Sequence, residues 1–207
     1  MTRSIGQHHG DLRRALLDAA LALVAEGELA ELTLRAVARK AGVSPGAPYH
    51  HFPDKTALLA EVAREGFAAL LAVQAEHHES DPGDRLEAMS TSYVRFSLAH
   101  ATHYAVMFAS TPSEVEGPGA DTLRDTAMAT FLNLLGAILA ANPALSPDEG
   151  RARALLAWAQ AHGAVQVARW AASLDPTFDA DIFALEAGRA VRRIAEAPPD
   201  GVRRRQA

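Results

Sequence analysis

The chain has 207 residues, 49% of them hydrophobic but only 6% aromatic, with a formal net charge of −5 and no cysteine. Disulfides and thiolate metal sites are excluded, and a reducing cytoplasm is the natural compartment. No apolar run approaches the roughly 20 residues that span a bilayer, and the N-terminus MTRSIGQHHGD lacks the apolar core of a signal peptide, so no membrane partner is expected.

Residues 1–10 are polar and read as disordered. Asp11 can cap a helix through about Ala25, with Leu12, Ala15, Leu16, Ala19 and Leu23 on one face and Gly27 as its stop. Thr33 is the N-cap expected for the next helix, in which Leu34, Val37, Ala38 and Ala41 fall at i, i+3, i+4 and i+7. Gly42 can take the left-handed conformation that ends it. Ser44 as N-cap and Pro45 as first residue predict that another helix starts at once. Two short helices joined by a tight glycine turn make a helix-turn-helix over about 32–51, the second helix being the element that enters a DNA major groove. Pro53-Asp54 restarts a helix with Lys55 in its first turn, and Leu58, Leu59, Val62, Phe67, Leu70 and Leu71 continue it towards His78.

Charge is distributed in keeping with this. Residues 1–60 hold seven Lys/Arg against six Asp/Glu, and the remainder holds 13 against 19, so the acidity lies away from the end that would meet phosphate.

The second half reads as helical throughout, giving an all-α chain. Leu86, Met89, Tyr93 and Phe96 mark one helix, His103–Ala109 a short one, and Phe131, Leu134, Leu135, Ile138 and Leu139 another that stops near Asn142-Pro143. Ser146-Pro147-Asp148-Glu149 is a capping box with proline at the first position. It starts the helix carrying Leu155, Leu156, Trp158, His162 and Val165 to Trp170, and a last helix runs from about Phe178 to Ala195.

Thr33, Val37, Ala38, Ala41, Gly42, Val43, Ser44, Gly46, Tyr49, His51, Phe52, Lys55 and Leu58 stand at the spacing of the signature of the tetracycline-repressor (TetR) family of bacterial transcriptional regulators, which the chain closely resembles over residues 11 to about 60. Pro48 departs from it, standing where that family usually has a branched or aromatic apolar residue. Further on, Trp158, His162, Gly163 and the upstream Tyr104–Phe108 segment resemble the subset with a WHG-type C-terminal domain. The resemblance implies a DNA-binding domain over 9–69, a helical effector-binding and dimerisation domain over 70–197 and a disordered tail over 198–207. It also implies a homodimer on a pseudo-palindromic double-stranded operator, and a repressor released by a small-molecule effector.

On that basis Tyr49 and Lys55 are expected phosphate contacts, supported by Thr33 and Arg35, with His51 structural or phosphate-facing. Ser44, Pro45, Gly46, Ala47 and His50 are the groove-facing candidates. None is the Arg, Lys, Asn or Gln that reads a base bidentately, so direct readout should be thin and DNA shape correspondingly important. Pro48, lacking an N–H for the Ser44 carbonyl, should alter the start of the reading helix slightly. Tyr93, Phe96, Met107, Phe108, Phe131, Trp158 and His162 are the candidate effector pocket, His162 and Tyr93 supplying its polar groups. Gly163 and Gly188, costly in helix interiors, suggest close helix–helix approach.

Nine histidines raise a metal-responsive alternative. His100 and His103 share the i, i+3 spacing of one helix face, and His162 could join them through tertiary folding, whereas the doublets His50-His51 and His77-His78 point about 100° apart. Solvated or hydrogen-bonded histidines are the simpler reading, and no cofactor is expected. No phosphate loop, nucleophile elbow or His-Glu-x-x-His motif supports an enzyme, and a pure protein-interaction adaptor has no feature of its own.

Overall fold

A computed structural model describes residues 5–27, 29–110 and 113–199. Among these there is no β-strand. Eight α-helices follow in order: α1 (Ile5–Ala25), α2 (Leu34–Lys40), α3 (Lys55–Ala75), α4 (Pro82–Ala99), α5 (Ala101–Met107), α6 (Ala120–Ala141), α7 (Pro147–Leu174) and α8 (Ala180–Glu196). The expected helices are present except the one predicted to start at Ser44, where only a 3₁₀ turn forms. The main difference in extent is α1, which begins at Ile5, six residues before Asp11 and within a segment read as disordered. The tail from residue 200 lies outside the described residues.

The chain forms two compact units, Met1–Gly66 with Thr102–Thr126, and Phe67–Ala101 with Ala127–Ala207. Helices α3 and α6 each run from one unit into the other. Residues 102–126 are grouped with the helix-turn-helix in the first unit.

In the first unit, Leu16, Leu17 and Leu23 of α1, Leu34 and Val37 of α2, Phe52, and Leu58 and Val62 of α3 are buried together with Tyr104 and Met107 of α5. Gly66 allows close approach here, since a Cβ on it would lie 2.6 Å from the Met107 sulfur.

The second unit is organised by small residues. Gly150, Ala154, Ala157, Ala161, Ala164 and Ala168 form the buried edge of α7, at alternating steps of four and three. On α8 the buried face is Ala184, Ala187, Gly188, Val191 and Ala195. Short side chains let helix axes come close, and Gly188 marks the tightest point. A Cβ there would lie 2.2 Å from Thr91 Oγ1 and 2.6 Å from the Glu87 carbonyl oxygen of α4. Gly163, by contrast, faces open space. The end of α8 is capped from elsewhere: Arg153 of α7 donates to the carbonyls of Ala195 (2.9 Å) and Pro198 (2.9 Å), and Asn142 Nδ2 to those of Ala195 and Ala197 (both 3.0 Å). The Ser146–Glu149 capping box that opens α7 is formed as expected.

With the small residues turned inward, large ones are left outside. Leu156 (60% exposed), Val167, Trp170 (66%) and Leu174 (64%) lie on α7, and Ile182 and Leu185 on α8. The helix period puts Leu156, Gly163, Val167, Trp170 and Leu174 on one face. By length and composition alone, helix α6 is apolar enough to cross a bilayer. Polar residues interrupt its apolar run, which is why no long run is visible in the sequence. One of them, Asn133, donates to Gln74 Oε1 of α3 at 3.2 Å, a bond suited to packing within protein.

Gly188→Ala is expected to lower stability by about 1–3 kcal/mol despite alanine's better helix propensity, because the obstacle includes the α4 backbone. Chemical denaturation should show a lower midpoint.

Candidate nucleic-acid interface

The first half of the interface is fixed by local hydrogen bonds. Thr33, in an extended conformation, accepts from the Ala36 N–H at 3.1 Å and starts α2. At the other end Gly42 has φ +70°, its N–H donates to the Arg39 carbonyl (3.2 Å), and the Val43 N–H reaches back to Ala38 (3.0 Å). These paired bonds are the Schellman arrangement, and they turn the chain sharply out of α2.

The second half differs from expectation. No α-helix starts at Ser44; the reading element is a single 3₁₀ turn, Ala47–His50, with Gly46 rather than Ser44 at its N-cap position. The reason is Pro48. An α-helix from Ser44 needs the residue-48 N–H for the Ser44 carbonyl, and proline has none. That carbonyl instead accepts from Ala47 at 3.0 Å, and the Gly46 carbonyl from Tyr49 at 3.2 Å. Pro48 itself is buried, and its carbonyl accepts from His51 (2.9 Å) and Phe52 (2.8 Å), which closes the turn.

The turn presents Ser44, Pro45, Gly46, Tyr49 and His50 to solvent, with Ala47 and His51 half-buried. Tyr49 is 53% exposed, unlike Phe52, which is core. In a 3₁₀ turn residues i and i+3 eclipse, so Ala47 and His50 share one edge and Gly46 and Tyr49 another. The groove-facing candidates thus lie on one turn that carries no Lys, Arg, Asp or Glu.

Cationic groups flank it on α2. Arg35 is exposed, and Arg39, one turn later on the same face, is exposed as well. Sequence reasoning passed over Arg39, although its i, i+4 spacing from Arg35 was the available signal. Lys40 is paired with Glu26. Lys55, expected at phosphate, is engaged within the protein: its Nζ donates to the Leu29 carbonyl at 2.9 Å and the Ala30 carbonyl at 3.1 Å. Its helix is capped by Asp54, whose Oδ1 accepts from the Ala57 N–H at 2.8 Å.

An ion-pair cluster holds α1 on α3 behind this surface. Glu61 receives Arg64 at 2.7 Å and Arg13 at 2.8 Å, Glu65 receives Arg14 at 3.1 Å, and the Arg13 guanidinium lies 5.4 Å from the Phe52 ring centre. Hydrogen bonding from Arg64, then from Arg13, outweighs burial and depresses the Glu61 carboxyl to about 2.

Of the candidate effector residues, the second unit brings together Tyr93, Trp158 and His162. The Tyr93 hydroxyl lies 3.3 Å from His162 Nδ1, and the Trp158 ring meets the imidazole edge-on at 5.9 Å. Burial lowers the His162 pKa and so favours the neutral imidazole. Phe96 is buried with His100 stacked on it at 4.6 Å, and Phe131 is half-buried. Met107 and Phe108 belong to the first unit, where Phe108 packs on Tyr104 at 4.9 Å. Among the described residues no group of three or more His, Asp and Glu side chains could hold a metal ion.

Known proteins resemble both parts of the chain. Residues 16–62 match the family described as bacterial regulatory proteins, tetR family, and residues 86–188 match the tetracyclin repressor-like C-terminal domain. The chain belongs to the TetR family. Its members are non-enzymatic, DNA-binding helix-turn-helix transcription regulators. A curated relative, the HTH-type transcriptional regulator AcrR of Shigella flexneri, is 32% identical over 89 residues, which are 43% of this chain and 41% of that protein. The aligned part thus spans well under half of that relative. Among solved structures, a protein with unknown function from Rhodococcus sp. RHA1 is 31% identical with a TM-score of 0.73, the match covering 92% of this chain and 98% of that one. A tetR-family regulatory protein from Rhodococcus RHA1 shares the fold at 23% identity and a TM-score of 0.74, covering 91% and 98%.

The Glu61 cluster makes a pH prediction. Because the folded carboxyl titrates below its unfolded value near 4.5, its stabilisation is full above that value and is lost as pH falls towards about 2. Glu61→Gln should therefore lower the melting temperature clearly at pH 7 and progressively less as pH falls from about 4.5 towards about 2, as followed by circular dichroism.

Proposed function

We propose that the chain is a homodimeric, cytoplasmic repressor that binds a pseudo-palindromic operator and leaves it when a small molecule occupies its C-terminal domain. The observation that carries the DNA-binding part is the exposed, uncharged turn Ser44–His50 set between α2 and α3, with Arg35 and Arg39 on the adjoining helix face. Phosphate contacts position a reader and groove contacts specify sequence. Arg35, Arg39 and the Tyr49 hydroxyl suit the first role, and Ser44, Pro45, Gly46, Ala47 and His50 the second.

Dimerisation is supported by the stripe Leu156–Gly163–Val167–Trp170–Leu174. It exposes large apolar side chains while the same helix buries alanines, and Gly163 at its middle lets a second helix approach closely. A two-fold axis through this stripe gives an isologous contact, and the two readers then meet half-sites about 34–36 Å apart. The C-terminal domain is read as the WHG type, on Trp158, His162 and Gly163. Its effector site would use the neutral His162, Tyr93 and Trp158, a largely apolar wall with a few polar groups. Release follows if the ligand-bound form prefers a reader spacing that DNA does not match. Helix α3, shared by both units, is the element that would carry the change.

Footprinting with the purified protein on the DNA upstream of its own gene tests this. The expected result is a protected pseudo-palindrome of one dimer's width. Trp170→Glu should turn the dimer into a monomer in analytical ultracentrifugation and weaken operator affinity at least a hundredfold. Protection by a monomer, or none by the wild-type dimer, contradicts the proposal.

A further inference from the structure

From the geometry around Lys55 we infer that this lysine is a positioning residue, a pin between α3 and the turn before α2, and does not contact DNA phosphate. The inference rests on the DNA-binding reading above and revises one of its expected contacts. Lys55 is the first residue of α3. A lysine there is poorly placed for the helix itself, because the N-terminal end of a helix carries partial positive charge. Its ammonium is instead turned towards the segment joining α1 to α2, where it donates to two successive carbonyls, Leu29 at 2.9 Å and Ala30 at 3.1 Å. The first of these bonds is partly buried.

These carbonyls belong to residues just ahead of Thr33, the cap of α2. The covalent linker Phe52–Asp54 and the shared apolar core already join α3 to the reader, and the pin adds a direct polar contact to the segment ahead of α2. With it, α3 also grips the start of α2, and α2 carries the turn through the Gly42 arrangement. The reader is thereby held at both of its ends. A lysine committed to two carbonyls has one N–H left and a seat fixed by the fold. Reaching out to a phosphate would break bonds that charge makes stronger than ordinary ones. Arg35 and Arg39, exposed on α2, are the cations better placed for the backbone.

The two roles give different salt dependence. A phosphate contact contributes about 0.9 to the slope of log affinity against log salt, whereas a pin contributes nothing to it. Lys55→Met and Lys55→Gln should be compared with the wild-type protein, measuring operator affinity across a salt series and amide hydrogen exchange in the free protein. Lys55→Met is expected to lose about tenfold in affinity at every salt concentration with an unchanged slope, and to exchange faster at residues 29–36. Lys55→Gln, which keeps an N–H donor but no charge, should recover part of the affinity and part of the protection, again with the wild-type slope. A slope shallower by about one in both variants overturns the inference, as does wild-type exchange at residues 29–36 in Lys55→Met. If Lys55→Met is too unstable to purify, Lys55→Gln alone decides through its slope. If the wild-type chain protects no DNA, the regulator reading fails instead, and the exchange comparison still decides whether Lys55 is a pin.

Discussion

A single missing N–H, that of Pro48, governs the end of the molecule that meets DNA. An α-helix starting at Ser44 cannot satisfy its first carbonyl through residue 48, so the chain closes a 3₁₀ turn with Ala47 and turns back into the Pro48 carbonyl. The result is short, and apart from Tyr49 and His50 its exposed side chains are nearly the smallest available. Serine, proline, glycine and alanine can follow the contour of a groove but offer few hydrogen bonds to base edges. Tight closure also explains why neighbouring groups are committed inward. Phe52 is buried under the Arg13 guanidinium, Asp54 caps α3, and Lys55 binds the turn before α2. On the proposed reading, base recognition falls to a small surface whose position is more closely determined than its chemistry.

The second unit follows a different constraint. Helices lined with alanine and glycine pack closely, and the tightest contact, Gly188 against α4, admits no larger side chain. That closeness forces the bulky residues of α7 and α8 outward, so the buried face of α7 is less hydrophobic in volume than its exposed one. An exposed stripe with two leucines, a valine and a tryptophan is unfavourable in water. The proposed self-association would cover that stripe and supply the two-fold symmetry that a reader with little base chemistry needs. Two weak readers at fixed separation gain affinity from simultaneous binding, and the separation itself becomes part of what is recognised.

Features that depend on neighbouring residues were legible in the sequence. Thr33 and Gly42 bound α2 as expected, and the capping box at Ser146 opens α7, because caps and left-handed turns are satisfied within a few residues. The reading turn was misjudged at the same scale. Pro48 was seen to lack its N–H, but the absence of an alternative α-helical bond for Ser44 makes the whole element 3₁₀. What was not legible depends on distance along the chain. The partners of Lys55 are 25 and 26 residues away, and nothing in local spacing shows that its ammonium turns inward. Segment 102–126 joining the first unit is likewise a tertiary fact. On α7 the alternating steps of Ala154, Ala157, Ala161, Ala164 and Ala168 were readable as a close-packing seam, yet the bulky residues between them draw attention to the wrong face.

The measurement that bears most directly on this account is a single-base substitution scan of the operator, with affinity measured for each change at fixed salt. A reader made of small side chains in a 3₁₀ turn predicts that most contacted positions cost less than about 1 kcal/mol. Changing the half-site spacing, or the flexible steps between half-sites, should cost more. The contradictory result is a cost of about 2–3 kcal/mol at several individual bases with tolerance of altered spacing, because that pattern requires the bidentate base contacts this surface lacks.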